Sequence, residues 1–192
     1  MMVMPTPDVR EELDFTKFFD NPAPPPPEFT PAKLQQISEE TQIGAQNLLD
    51  QGRYIRVVAG VKDLPPAPAN AHVLVVEDDV STAKLLERVL FKNGYQVSCA
   101  HNRLEILERL NQPQLPDLIL LDVMLPETNG FEVLARLRAH RRLKSIRVMI
   151  LTSLSSPDDV ARGLALGVNG YLTKPVSPAV LVQAIRECMG WE

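Results

Sequence analysis

Val73-Leu74-Val75-Val76-Glu77-Asp78-Asp79 runs four apolar residues straight into three acids. An unbroken apolar run of this length suits a strand buried on both faces, whereas alternation would mark a strand with one wet face. The same form recurs downstream. Leu118–Leu121 ends in Asp122, Val148–Leu151 in Thr152-Ser153, and Gly170–Leu172 in Thr173-Lys174-Pro175. Between the runs lie segments with helical spacing: Ala83–Phe91, Leu104–Leu110, Phe131–Leu137, Asp158–Leu166 closed by Gly167, and Pro178–Met189. Tyr95–Cys99, after the Asn93-Gly94 turn, adds one more strand. Five strand-helix units predict an α/β fold, a five-stranded parallel sheet that is doubly wound, with helices on both faces.

In such a sheet a ligand binds beyond the carboxyl ends of the strands. Glu77, Asp78, Asp79, Asp122, Thr152 and Lys174 therefore share one rim. Carboxylates converging this closely repel unless a cation joins them, and an all-oxygen set without His or Cys favours Mg²⁺ or Mn²⁺. Lys174 can balance charge on an anionic ligand, and Thr152 can donate a hydrogen bond to it. Taken singly, each residue has a plainer reading: an Asp at a strand end caps a helix, a Thr packs, a Lys is solvated. Their combination in this order describes a phosphoryl-transfer site. Asp79 stands apart, because it reads equally well as the cap of the helix that follows.

The chain has 192 residues and a formal net charge of −4. Eleven of its seventeen prolines and the whole of that charge fall in residues 1–70, so the two halves need separate readings. Residues 1–29 read as a proline-rich arm, extended at Pro24–Pro27, with one aromatic cluster at Phe15–Phe19. Residues 30–62 read as an amphipathic helix from Thr30 to Gly52 followed by a short strand at Tyr54–Val58, and residues 63–70 as a stiff linker. An acidic arm lacks the Lys and Arg needed to neutralise phosphates, which argues against nucleic acid. Cys99 and Cys188, far apart and without metal-ligand spacing, read as small buried apolar residues in a reducing compartment. With no apolar run long enough for a membrane span and Pro5, Pro7 and Asp8 where a signal peptide has its apolar core, the expected location is the cytoplasm.

The second half, residues 71–192, resembles the receiver domains of two-component response regulators, the CheY-like proteins with a flavodoxin-like fold. The matching pieces are Val73–Asp79, Leu118–Pro126 with Gly130, Ile150–Ser153 and Gly170–Pro175, with 44 residues from Asp78 to Asp122, 30 from Asp122 to Thr152 and 52 from Asp122 to Lys174. The resemblance implies that Asp122 is the phosphoacceptor. Asp78 and Asp122 would hold Mg²⁺ directly, Met124 through its backbone carbonyl, and Glu77 through water. Thr152 is implied as the switch hydroxyl, Tyr171 as the switch aromatic and Lys174 as the phosphate-binding lysine, followed by a cis bond to Pro175. Met124 and Leu154 fall where relatives tune the lifetime of the phosphoryl group; both are apolar and cannot position an attacking water, so a long lifetime is expected. The implied partners are a sensor histidine kinase or phosphotransfer protein, a downstream protein engaged by the face around the fourth helix, fifth strand and fifth helix, and a second copy on phosphorylation.

Two other functions compete. A Mg²⁺-dependent phosphohydrolase with an aspartyl nucleophile needs a second Asp two residues after the first, where this chain has Met124. A DNA-binding transcriptional regulator would need a reading surface, and hardly any residues follow the last helix, which directs the search for output to the receiver surface or the arm. There Leu34, Ile37 and Leu48 favour a protein-binding helix, and Phe15–Phe19 a docking peptide. The basic run Arg136, Arg138, Arg141, Arg142, Lys144 and Arg147 reads as a solvated face, and Trp191 as a cover for the last helix.

Overall fold

The computed structural model describes residues 18–20, 22–24, 56–58 and 67–191. The helix read over Thr30–Gly52, most of the linker and the aromatic residues before Phe18 lie outside the described residues. Six strands are present: β1 Arg56–Val58, β2 His72–Val76, β3 Gln96–Ala100, β4 Leu118–Leu121, β5 Arg147–Thr152 and β6 Gly170–Thr173. The helices are α1 Val80–Lys92, α2 Arg103–Leu110, α3 Gly130–Ala139, α4 Pro157–Ala165 and α5 Pro178–Cys188. β2 to β6 form the expected five-stranded parallel sheet, and the full order is β1-β6-β5-β4-β2-β3. The sequence reading did not place β1 in it. Arg56–Val58 joins the outer edge of β6 antiparallel, with Val57 opposite Tyr171.

The central strands β2, β4, β5 and β6 are buried because both faces are covered. Successive side chains point to opposite sides, so Leu74 and Val76 face a layer with Ile106 and Leu110 of α2, Phe131 and Leu134 of α3 and Val160 of α4. Val73 and Val75 face the other layer, with Leu86 and Leu90 of α1 and Leu181 and Ile185 of α5. All four residues of β4 are buried on these two sides, and each such side chain contributes about 1.5–3 kcal/mol. One row crosses the whole sheet: Val57, Tyr171, Ile150, Leu121, Val76 and Ala100 stand side by side. Glu77 and Asp122 are the next residues beyond it.

Helix starts are fixed by side-chain caps. Asp79 accepts from the Thr82 N–H at 2.7 Å and Asn102 from the Glu105 N–H at 3.0 Å, each satisfying a donor the first turn leaves orphaned. Gly167 ends α4 at φ +82°, a left-handed position that glycine occupies without strain. Trp191 covers the end of α5 as expected: it stacks on Tyr95 at 5.6 Å and donates from Nε1 to the Ala67 carbonyl at 2.8 Å. The Ala67 N–H in turn donates to the Met189 carbonyl at 2.9 Å, tying the linker's last residues to the C-terminal turn.

The basic run is not a solvated face throughout. Arg136 and Arg147 are buried, and Arg138 donates to the carbonyls of Gly167, Lys144 and Ile146 and to Asn169 Oδ1. Long stems lie along apolar surface while the guanidinium groups collect carbonyls, which a charge pattern does not reveal. Cys188 is buried as read, whereas Cys99 is only half-buried.

Gly130 opens α3 against the backbone of β4's exit. A Cβ there would meet the Asp122 carbonyl oxygen and lie 2.7 Å from Val123 Cα. Replacing a helical Gly by Ala gains about 0.5–1 kcal/mol, but overpacking against backbone that cannot give costs about 1–3 kcal/mol. Gly130→Ala is expected to be net destabilising, read as a lower urea midpoint; an unchanged or higher midpoint would contradict this packing.

Candidate functional site

Four strand ends build the site. β2 ends at Val76 and β4 at Leu121, paired in register, so Glu77 and Asp122 emerge side by side. The Asp122 N–H donates to the Val76 carbonyl at 3.0 Å and the Glu77 N–H to the Ala100 carbonyl at 3.1 Å, extending the ladders one residue into the site. Glu77 and Asp122 are buried and Asp78 is exposed. Carboxylate oxygens of Glu77, Asp78 and Asp122 all lie within 4.8 Å of one another.

Lys174 spans the two buried acids. Its Nζ donates to Glu77 Oε2 and to Asp122 Oδ2, each at 2.6 Å. Its own N–H donates to the Thr152 carbonyl at 2.8 Å, which continues the β5–β6 ladder and fixes where the side chain starts. The peptide bond from Lys174 to Pro175 is cis, as the resemblance implied. The remaining Asp122 oxygen, Oδ1, accepts from the Met124 N–H at 3.0 Å.

The electrostatics follow from crowding. Burial pushes the Glu77 carboxyl above its ordinary range, and the pull of Lys174 only partly opposes this. Burial by itself would depress the Lys174 ammonium, but its two carboxylate partners outweigh burial and hold it above its usual value. Three carboxylates against one ammonium leave a formal charge of −2, with oxygen donors only. That set fits a small hard divalent cation.

The other predicted residues are close at hand. Thr152 is fully buried at the end of β5, its hydroxyl at the limit of hydrogen bonding, 3.5 Å from the Leu154 N–H. Tyr171 is fully buried, and its hydroxyl donates to the Leu154 carbonyl at 3.0 Å. Its ring lies against Gly163 of α4, where a Cβ would come within 2.9 Å of Cδ2. Met124 is exposed and forms an isolated bridge with Asn129 across the loop after Asp122. Asp79 takes no part in the acidic cluster; it caps α1, the plainer of its two readings.

Sequence reasoning missed two supports. His101 Nδ1 lies 2.8 Å from the Glu77 carbonyl oxygen, anchoring the backbone that carries the acids. Gly163, unremarkable in a helix, is what leaves room for the Tyr171 ring. Neither has a signal in spacing or charge.

The model of the response regulator receiver domain matches residues 73–186, more than half of the chain. The chain therefore belongs to the response regulator receiver family. It is 38% identical over 117 residues to the phosphate regulon transcriptional regulatory protein PhoB of Escherichia coli, a match covering 61% of this chain and 51% of that protein. It is 37% identical over 114 residues to the transcriptional regulatory protein CpxR homolog of Haemophilus influenzae, covering 59% and 48%. The chain thus spans about half the length of these two regulators. Among solved structures, the receiver domain of the Francisella response regulator 1452 superposes with a TM-score of 0.58 at 30% identity, covering 63% of this chain and 98% of that one. Chemotaxis protein CheY4 of Vibrio cholerae does so with 0.58 at 31%, covering 62% and 99%. Receiver domains are signalling domains of two-component systems that bind Mg²⁺ through an acidic pocket, and Glu77, Asp78 and Asp122 form such a cluster here. No helix among the described residues is long and apolar enough to cross a membrane.

Proposed function

We propose that this chain is a phosphorylation switch: Asp122 accepts a phosphoryl group from a sensor histidine kinase or phosphotransfer protein, and residues 71–192 act as the unit that does so. The observation that carries this reading is Lys174 held at 2.6 Å from both Glu77 and Asp122, one cation bound to the carboxylate that would accept the phosphoryl group.

A carboxylate is a weak nucleophile toward a phosphoryl group, so the protein's task is positioning and charge neutralisation. An Asp122 oxygen forms the new O–P bond as the P–N bond of phosphohistidine breaks, its electron pair returning to the imidazole. Asp78, Asp122 and the Met124 carbonyl would hold Mg²⁺ or Mn²⁺, with Glu77 acting through water, and the ion would supply charge neutralisation to the phosphoryl oxygens. Lys174 follows the phosphoryl group from the other side, and the Thr152 hydroxyl, which has only a weak partner at 3.5 Å, turns toward it. That turn changes the packing around Tyr171 and hence the face of α4, β6 and α5, which controls a protein partner. Phosphorylation-dependent pairing of two copies belongs to the same reading.

The relatives named as transcriptional regulators favour DNA-linked output as the second reading, and they soften the expectation against nucleic acid drawn from the arm's charge. A phosphohydrolase is the weaker rival, because Met124 stands where its acid-base Asp belongs.

Incubated with acetyl phosphate and Mg²⁺, the full chain should gain one phosphoryl group by intact mass spectrometry. Asp122→Asn and excess EDTA should each abolish the gain, and Lys174→Ala should slow it by about 10²–10³-fold. Equal labelling of Asp122→Asn would refute the assignment. With apolar Met124 and Leu154 flanking the site, the phosphoryl group should persist for many minutes after the donor is removed; decay within seconds contradicts that part.

A further inference from the structure

The arm, acidic and rich in proline, is not independent of the receiver. Phe19 is buried, only 7% exposed, within the same core layer as Ile106, Leu110 and Leu137. Two guanidinium groups lie over its ring, Arg103 at 4.4 Å and Arg136 at 5.7 Å from the centroid. Phe18 packs edge-on against Phe19 at 5.1 Å, and its carbonyl accepts from Arg136 Nη1 at 2.5 Å. Arg136 is itself buried and is aimed by Glu132, which accepts from Nε at 3.1 Å and from Nη2 at 2.6 Å. An oriented, buried arginine bonded to a peptide carbonyl beside an aromatic pocket is the chemistry of peptide recognition.

The arm then continues along α3. Ala23 and Pro24 line a cavity of about 300 Å³ with Asn129, Glu132, Arg162 and Leu166, reaching from α3 to α4. Farther along the chain, Arg56–Val58 lies on the edge of β6, and Ala67 is tied to Met189 and Trp191.

We propose that the groove between α2 and α3 is a docking site for an aromatic dipeptide and that the chain fills it with its own Phe18-Phe19. The N-terminal arm is then an intramolecular ligand of the receiver. An edge strand left bare is a template for pairing with another chain, and the anchored arm supplies Arg56–Val58 to cover the edge of β6. Covalent linkage favours this occupant, because it raises the local concentration of the dipeptide to the millimolar range. The inference does not depend on phosphorylation of Asp122.

Hydrogen exchange read by mass spectrometry on the full chain tests it. Phe19→Ala should speed exchange in Arg103–Leu110, Gly130–Ala139 and Gly170–Thr173 by about tenfold or more, while Leu118–Leu121 in the sheet centre stays protected and reports that the domain is folded. A synthetic peptide of residues 14–24 added to that variant should restore slow exchange in α2 and α3, and the same peptide with Ala at positions 18 and 19 should not. If Phe19→Ala fails to fold, Arg103→Ala, which removes only the outer guanidinium from the ring, carries the test with a smaller acceleration. Wild-type exchange rates in the folded variant would overturn the proposal. Protection in the wild-type chain that disappears on dilution, together with a fall from dimer to monomer mass in sedimentation, would overturn it too, by showing the groove filled from a neighbour.

Discussion

Lys174 held between Glu77 and Asp122 is the interaction on which the site rests. At an effective dielectric near 20, two like charges 4.8 Å apart repel by roughly 3–4 kcal/mol, and three carboxylates make three such pairs. One ammonium at 2.6 Å from two of them offsets much of that repulsion but leaves the cluster acidic. The residual negative charge suits the rim to a divalent cation. A site balanced completely by protein cations would have no need of one.

The rest of the fold serves that balance. Parallel register sets Val76, Leu121, Ile150 and Tyr171 in one row, so the residues just beyond them converge without any loop having to reach. Gly130 lets α3 start against the Asp122 backbone, and Gly163 lets α4 close over Tyr171. A Cβ at either position would push on an element that carries site chemistry. The same row extends through Tyr171 to Val57 of the arm, so the sheet edge beside Tyr171 is made by the part of the chain whose composition is most unlike the receiver.

What could be read from sequence divides along the same physical line. Buried parallel strands announce themselves as unbroken apolar runs, and the polar groups at their ends are conspicuous there; Glu77, Asp78, Asp122, Thr152 and Lys174 were legible as one rim for that reason, whereas Tyr171 was singled out only through the family resemblance. Strand β1 was legible as a strand but not as a partner of β6, because three residues of backbone pairing leave no side-chain signature. Arg136 and Arg147 looked solvated, since burial of a guanidinium depends on carbonyls brought near by tertiary structure. Phe19 looked like a docking peptide, but its groove is made by α2 and α3, more than eighty residues away in sequence. Asp79 carried two readings that only cap geometry separates.

The proposed switch requires that the Asp122 carboxylate, and no other group, become the acyl phosphate. Borohydride reduction of the phosphorylated chain, followed by peptide mapping, tests this directly, because an acyl phosphate is reduced to an alcohol while an unmodified carboxylate is not. A single converted residue, at position 122, is expected in chain phosphorylated with Mg²⁺ and none in chain treated with EDTA. Conversion at Glu77, Asp78 or Asp79 instead, or phosphate that survives reduction on a hydroxyl, would contradict it.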